Sequence, residues 1–147
     1  MNRSFQQSAL KALIYEASVW PKPGLVDPLD HSGHPDMDYF DFIDSAVALD
    51  DYFRQLVCLS SSFPKNEDKK LFSAIRPLGI EAEKNMMIAT NGANTHKGAV
   101  FSLGLAVSAS AYLQTNDHHS ILAEIKKMTG DIIEHDFAAL KKSKNCW

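Results

Sequence analysis

The sequence predicts an all-α fold, a compact bundle of five or six helices with a long acidic loop after the first helix. Apolar residues recur at helical spacing between polar or proline-containing stretches, and no segment alternates apolar and polar residues as a half-buried strand would. Of the 147 residues, 45% are apolar and 22% are charged, which is the composition of an ordinary globular protein. This length suits one domain, which we assign to residues 1–147.

The first predicted helix covers residues 4–19. Its apolar face includes Phe5, Leu13 and Trp20. Glu16 lies on that same face, one turn before Trp20. A carboxylate in such a place must be paired, solvated at the edge of the core, or functional. Both an edge glutamate that reaches water and a functional acid remain open here.

A long acidic loop, residues 21–37, follows this helix. Pro21 and Pro23 end the helix, because proline cannot continue it and pushes the preceding residue toward extended geometry. Long loops without regular structure are often functional. Clustered carboxylates suit a hard cation such as Mg²⁺, which takes one or two of them together with phosphate oxygens. His31 and His34 would instead suggest zinc, which ranks lower because oxygen ligands outnumber nitrogen ligands here.

The acidic residues at the end of this loop also have a structural interpretation. Asp36 or Asp38 can cap the second helix, predicted over residues 38–59, by placing negative charge in or before its first turn. That helix carries a wide apolar stripe, which indicates core. A polar loop over residues 60–66 separates it from a third helix that begins near Asp68.

Two residues are predicted to interrupt the third helix. Pro77 and Gly79 break or kink it, so that a new segment covers residues 77–90. Glu81 stands beside the buried edge of that segment, and Glu83 is turned away from it. A helix face rich in acidic residues is usually just solvated.

The most distinctive stretch is residues 90–98, where polar residues and glycines precede an apolar run. Asn94 or Thr95 can serve as N-cap of the helix that follows. The free N–H groups and positive dipole of that helix start, with the charge of Lys97 beside them, make an anion site, most simply for phosphate. His96 can donate a hydrogen bond or move a proton near neutral pH. The alternative is a plain capped loop between two helices.

The remaining sequence completes the bundle. Residues 99–113 form a central buried helix, and the last helix covers roughly residues 120–141, with Gly130 weakening its middle by about 1 kcal/mol. The tail 141–147 is predicted to fray. The run 99–113 is too short for a membrane span, and a net charge of −3 argues against a general nucleic-acid binder. Two distant cysteines and no signal-like segment favour a cytoplasmic protein.

Three stretches, in the same order, resemble the triphosphoribosyl-dephospho-CoA synthase family. The stretches are Pro21-Lys22-Pro23-Gly24-Leu25-Val26-Asp27 with His34-Pro35-Asp36-Met37-Asp38, then Arg76-Pro77-Leu78-Gly79-Ile80-Glu81-Ala82-Glu83, and finally the run from Ala89 to Leu105. The resemblance covers roughly residues 10–105, and only the N-terminal half of the family's length.

This resemblance implies transfer of the triphosphoribosyl group of ATP to the ribose of 3′-dephospho-CoA, with release of adenine. The product is the precursor of the prosthetic group of citrate lyase or malonate decarboxylase. ATP is then a substrate, and Mg²⁺ is expected with it. The implied site residues, by role, are Glu16, His34 and His96 for catalysis; Lys22, Asn94, Thr95, Lys97 and Gly98 for substrate or phosphate; and Asp27, Asp36, Asp38, Glu81 and Glu83 for metal.

Other classes of function remain open. One is a non-catalytic nucleotide-binding or assembly module, and another is a metal-dependent nucleotide or phosphate hydrolase that uses water as acceptor. Because the resemblance covers half of the family's length, a homodimer or a second chain is predicted to supply the other half of the site. Neither a nucleic acid nor a membrane is predicted as a partner.

Overall fold

The computed structural model describes residues 2–31 and 33–130, and over that part of the chain the protein has six helices and no strand. The helices are α1 (Asn2–Ser18), α2 (Tyr39–Ala48), α3 (Asp50–Ser61), α4 (Asp68–Ala89), α5 (Lys97–Leu113) and α6 (His118–Thr129). The predicted all-α fold is confirmed. The later part of the last predicted helix and the predicted frayed tail, residues 131–147, lie outside the described residues. No helix among those described has the length and apolar character needed to cross a membrane.

Helix α5 is the centre of the bundle, as its apolar sequence predicts. It packs against α1, α3, α4 and α6, and most of its length from Gly104 to Tyr112 is buried. Small residues let the neighbouring helices come close. At Gly104 an added Cβ atom would lie 2.1 Å from the Tyr52 hydroxyl oxygen, so only glycine fits without movement of the α3 side chain. The Tyr52 hydroxyl donates to the carbonyl oxygen of Val100 at 3.0 Å.

The second predicted helix, residues 38–59, is in fact two helices that meet at Leu49. Leu49 keeps right-handed helical geometry, and hydrogen bonds continue through it: its N–H donates to the Ser45 carbonyl, and its own carbonyl accepts from the Phe53 N–H. Neither proline nor glycine marks this point in the sequence. The division lets α2 pack on α1 and α4 while α3 packs on α1 and α5, with the Leu49 side chain fully buried between them.

Of the break or kink predicted at Pro77, the break is wrong, because α4 runs without interruption from Asp68 to Ala89. A proline inside a helix removes one backbone hydrogen bond and costs about 3 kcal/mol. Pro77 itself is exposed, so the peptide groups beside it are near solvent. Buried side chains before and after it, such as Phe72 and Met86, pack on one continuous face and offset that cost.

Candidate functional site

The structure contains a cleft of about 540 Å³ between the C-terminal end of α1, the loop before α2, α2 itself and the start of α5. Seven of the side chains or glycines predicted from sequence to form the site line this cleft, namely Glu16, Lys22, His34, Asn94, Thr95, His96 and Gly98. Apolar side chains complete the wall, among them Leu13, Met37 and Phe42. The cleft therefore joins two of the three sequence stretches that carry the family resemblance.

A tight turn brings the first of these stretches to the cleft. The Leu25 N–H donates to the Lys22 carbonyl at 3.0 Å, and Gly24 between them has φ of +77°. Proline at the second position and a glycine of positive φ at the third are the residues that a type II turn favours. The turn holds Lys22 at the end of α1, where its side chain is only 11% exposed.

Lys22 supplies a positive charge to the cleft. Its Nζ donates to the Glu16 carbonyl oxygen at 3.0 Å and to Glu16 Oε1 at 3.1 Å, and it lies 6.0 Å from the centre of the Phe42 ring. The Glu16 side chain is 57% exposed. Glu16 is therefore both an edge residue that reaches water and a wall of the cleft, so both sequence interpretations describe part of its environment.

His96 is the most enclosed ionisable group of the cleft. Its ring is buried, its Nδ1 lies 2.6 Å from the Ser45 hydroxyl oxygen, and the Phe42 ring meets it edge-on with centroids 5.2 Å apart. Burial lowers the pKa of His96 below its usual value; the nearby Glu16 carboxylate opposes this and Lys22 adds to it. The imidazole is therefore neutral near pH 7.

Two buried polar atoms of the cleft have no hydrogen-bond partner in the described part of the chain. They are Thr95 Oγ1 and His96 Nε2. Leaving a buried polar group unpaired costs about 1–3 kcal/mol, so such atoms usually have a reason in function. A ligand with polar oxygens or nitrogens would satisfy both. This pair of atoms is the clearest sign in the structure that the cleft binds a polar ligand.

The start of α5 differs from its prediction. The helix begins at Lys97, with His96 in the N-cap position and no side-chain cap. The prediction that Asn94 or Thr95 caps it is therefore wrong. The His96 side chain bonds to Ser45 instead, so within the described part of the chain no side chain caps the first-turn N–H groups of α5, which are the kind of donors that anions can use. Gly98, in that turn, lines the cleft.

Lys97, predicted to bind phosphate, does not line the cleft. Its side chain is 62% exposed, and its Nζ lies 3.8 Å from Glu83 Oε2 on α4. His96 is buried and Lys97 faces outward, because successive residues in a helix point about 100° apart. Among the described residues, the lysine that lines the cleft is Lys22.

Asp27 organises the acidic loop. It is buried, and its carboxylate accepts three backbone hydrogen bonds, from the N–H groups of Lys22, Leu29 and Asp30. These bonds, led by the one from Lys22, lower the pKa of Asp27, so it is ionised near neutral pH. With both oxygens engaged in this way, Asp27 fixes the shape of the loop that carries Lys22.

The other predicted metal ligands are scattered. Asp38 is the N-cap of α2: its carboxylate accepts from the N–H groups of Phe40 and Asp41, and its own N–H donates to the Asp41 carboxylate. Asp36 is exposed. Glu81 and Glu83 lie on α4 and pair at 3.8 Å with Lys84 and Lys97 respectively. Among residues 2–31 and 33–130, no three His, Cys, Asp or Glu side chains are grouped to hold a metal ion.

Two residues that contact His96 have roles that the sequence did not show. Phe42 belongs to the apolar stripe of the second helix, which indicates core, yet it lines the cleft and contacts His96. Ser45, a fully buried serine, was not singled out. The sequence does show Ser45 as a polar residue within an otherwise apolar helical stripe, which is a signal for a buried polar contact. The partner in that contact, His96, is 51 residues away and could be identified only from the fold.

Comparisons with known proteins agree with the resemblance seen in the sequence. The profile of a family described as CitG, ATP:dephospho-CoA triphosphoribosyl transferase, matches residues 2–145. The chain is 45% identical over 129 residues to a probable 2-(5''-triphosphoribosyl)-3'-dephosphocoenzyme-A synthase of Lactiplantibacillus plantarum, with 88% of this chain and 46% of that protein covered. No solved structure matches.

Two further relatives give the same result. A protein of the same name from Streptococcus pyogenes serotype M5 is 40% identical over 155 residues, covering 96% of this chain and 53% of its own length. The protein CitXG of Leuconostoc mesenteroides is 43% identical over 143 residues, covering 94% of this chain and 31% of its own length. The chain therefore spans about half, or less, of the length of these curated relatives.

Proposed function

Because the chain belongs to the ATP:dephospho-CoA triphosphoribosyl transferase family, we propose that its cleft binds ATP for transfer of the triphosphoribosyl group to 3′-dephospho-CoA. In this reaction the bond between C1′ of the ATP ribose and adenine breaks, and a bond from C1′ to a ribose hydroxyl oxygen of the acceptor forms. The hydroxyl loses a proton and adenine leaves with one. The observation that carries the proposal is the pair of unpartnered buried atoms, Thr95 Oγ1 and His96 Nε2, in a cleft that also holds Lys22.

The triphosphate belongs beside the donors of the cleft. Lys22 contributes a charge, Thr95 and Asn94 contribute side-chain donors, and the first turn of α5 at Gly98 contributes N–H groups and the positive end of a helix dipole. Phosphate oxygens accept hydrogen bonds and carry negative charge, so they complement all of these groups.

The carboxylate of Glu16 suits the sugar. Breaking an N-glycosidic bond builds positive charge on the ribose, and a nearby carboxylate stabilises that transition state. Glu16 lies at the exposed edge of the cleft, where an acceptor hydroxyl can also reach it and pass it a proton. His34 also lines the cleft, with Nε2 3.4 Å from the Gly24 carbonyl oxygen, and is the second candidate to move a proton.

Mg²⁺ enters this proposal with ATP. The ion usually binds through substrate phosphates and one or two carboxylates, and it keeps several waters. The five carboxylates predicted as ligands are dispersed, with Asp27 and Asp38 engaged in backbone hydrogen bonds. The test is a titration of ATP affinity with Mg²⁺ in an Asp36→Asn, Asp38→Asn double variant. We expect the Mg²⁺ dependence to persist; its loss would assign a metal site to the loop.

Adenine release measures the proposed reaction directly. The chain is incubated with ATP and Mg²⁺, with and without dephospho-CoA, and adenine and the coupled product are measured by chromatography and mass spectrometry. We expect adenine release that requires dephospho-CoA. Adenine released without the acceptor would indicate a hydrolase, free phosphate would indicate a phosphohydrolase, and ATP binding without turnover would indicate a binding module.

A pair of glutamate variants links this activity to the cleft. Glu16→Gln removes the carboxylate charge at the cleft edge, and we expect it to lower turnover by roughly 100-fold or more, the usual range for a group that moves a proton. Glu81→Gln, on the exposed face of α4, is the matched control and should leave turnover unchanged. Equal turnover in the two variants would remove Glu16 from the mechanism.

A further inference from the structure

A buried contact joins α2 to the start of α5. The Ser45 side chain is fully buried, and its Oγ lies 2.6 Å from His96 Nδ1, while His96 itself is 5% exposed. Residues 51 positions apart therefore meet through one hydrogen bond beneath the cleft. Which of the two atoms donates decides where the imidazole proton lies, because a neutral imidazole carries a single N–H.

The hydrogen bonds of other serines help to decide the donor. In α1 and α5 the hydroxyls of Ser18 and Ser102 donate to the carbonyl oxygen four residues earlier, at 2.7 and 3.0 Å. The Ser45 hydroxyl makes no bond of that kind; within the described part of the chain its one hydrogen bond is to His96 Nδ1. If Nδ1 carried the proton, the Ser45 hydroxyl hydrogen would be buried without an acceptor, which is unfavourable. The Ser45 O–H is therefore the donor.

We infer that Ser45 is a positioning residue that holds His96 with its proton on Nε2, so that His96 offers the cleft a neutral N–H donor. Nε2 is buried and has no partner among the described residues, which is what a donor awaiting a ligand acceptor would show. In this tautomer Nε2 has no lone pair to accept a proton. The sequence left donation and proton transfer both open for His96, and the Ser45 contact selects donation.

The surroundings identify the chemistry of the acceptor. Lys22 and Thr95 line the same cleft as His96, so the Nε2–H joins a set of residues that carry donors. Such a set fits the oxygens of a phosphate chain. The identity of that chain as the triphosphate of ATP rests on the proposed function, whereas the tautomer itself does not.

The tautomer can be measured without any enzyme activity. In the full chain labelled with ¹⁵N-histidine, ring ¹⁵N shifts and long-range proton couplings distinguish a protonated nitrogen from an unprotonated one, and a His96→Asn variant assigns the signals. Near neutral pH we expect Nε2 protonated and Nδ1 unprotonated. A proton on Nδ1 would overturn the inference, whatever the activity of the protein.

Two serine variants test the role of the hydroxyl. Ser45→Ala removes the donor, and we expect a mixture of tautomers with about two- to tenfold weaker binding of inorganic triphosphate in calorimetry. Ser108→Ala, at a fully buried serine of α5 whose hydroxyl has no partner among the described residues, is the matched control and should change neither. Ser45→Thr keeps a hydroxyl and should keep the Nε2–H tautomer.

The outcomes separate this inference from the proposed function. An unchanged single tautomer in Ser45→Ala would overturn the positioning role. A wild-type chain with the expected tautomer and triphosphate affinity, but without adenine release, would leave the inference standing and refute the transferase proposal. If Ser45→Ala does not fold, the wild-type spectrum decides the tautomer.

Discussion

Gly104 on the central helix gives the sharpest test of the packing. A Cβ atom there would lie 2.1 Å from Tyr52 Oη and 3.2 Å from Tyr52 Cζ, so a Gly104→Ala variant must displace the Tyr52 ring. That ring is buried, and its hydroxyl donates to the Val100 carbonyl. Burial raises the pKa of Tyr52 well above its usual range, and the nearby Glu83 carboxylate adds a smaller effect in the same direction. The hydroxyl therefore keeps its proton.

The size of the effect follows from three contributions. Overpacking a core costs about 1–3 kcal/mol, and displacing the Tyr52 hydroxyl leaves this buried donor without its acceptor, at about 1–3 kcal/mol. Replacing glycine by alanine in a helix returns about 1 kcal/mol. We expect Gly104→Ala to lower the free energy of unfolding by about 3 kcal/mol, which for a domain of this size lowers Tm by roughly 10 °C.

A second glycine beside the same tyrosine is the matched control. At Gly79 on α4 the nearest atom to an added Cβ is also Tyr52 Oη, but at 3.7 Å, an ordinary contact. Gly79→Ala should therefore raise the free energy of unfolding by up to about 1 kcal/mol. Urea and thermal unfolding followed by circular dichroism measure both. A Gly104→Ala protein as stable as wild type would refute the packing argument.

Three further predictions concern charge and association. Burial, and after it the neighbouring Asp68, raises the pKa of Glu124, so wild type loses stability as pH rises above the unfolded pKa near 4.5. Glu124→Gln should therefore have a higher Tm than wild type at pH 7 but not at pH 4. The same Tm for both proteins at both pH values would contradict this prediction. Burial lowers the pKa of His96, so wild type should lose stability as pH falls below about 6.5, more steeply than His96→Asn; parallel pH profiles of urea unfolding would show that His96 protonates freely. Exposed apolar side chains such as Ile88 and Phe101 favour association with another chain. Sedimentation should therefore show a dimer, or activity should require a second chain. A strict monomer that forms product alone would refute this prediction.

Helix positions were largely predictable from apolar spacing, because amphipathic faces record which side is buried. The two errors have physical causes. A division at Leu49 follows from packing on different neighbours, which a single helical stripe does not record. The uninterrupted α4 shows that burial on both sides of Pro77 outweighs the local cost of proline, and that balance depends on tertiary contacts.

The candidate site was predictable in part. Motif residues at 22 and 94–96 do share one cleft, since both stretches are loops that adjoin helix ends. The direction of each side chain was not predictable, because a shift of one residue in the position where a helix starts rotates every side chain by about 100° around the helix axis. Lys97 therefore faces Glu83 while its neighbour His96 faces inward, and the Ser45 contact depends on how α2 packs.

We propose that the cleft, with Lys22 as its cation, binds the triphosphate of ATP, and one measurement tests this most directly. The measurement is ATP affinity by calorimetry for Lys22→Ala and Lys97→Ala, with Lys84→Ala as an exposed control. A charge-assisted contact contributes roughly 1.5–3 kcal/mol, so Lys22→Ala should bind about tenfold more weakly or worse, while the other two stay near wild type. Loss of ATP affinity in Lys97→Ala, with wild-type affinity in Lys22→Ala, would contradict this proposal and place the phosphate site outside the cleft.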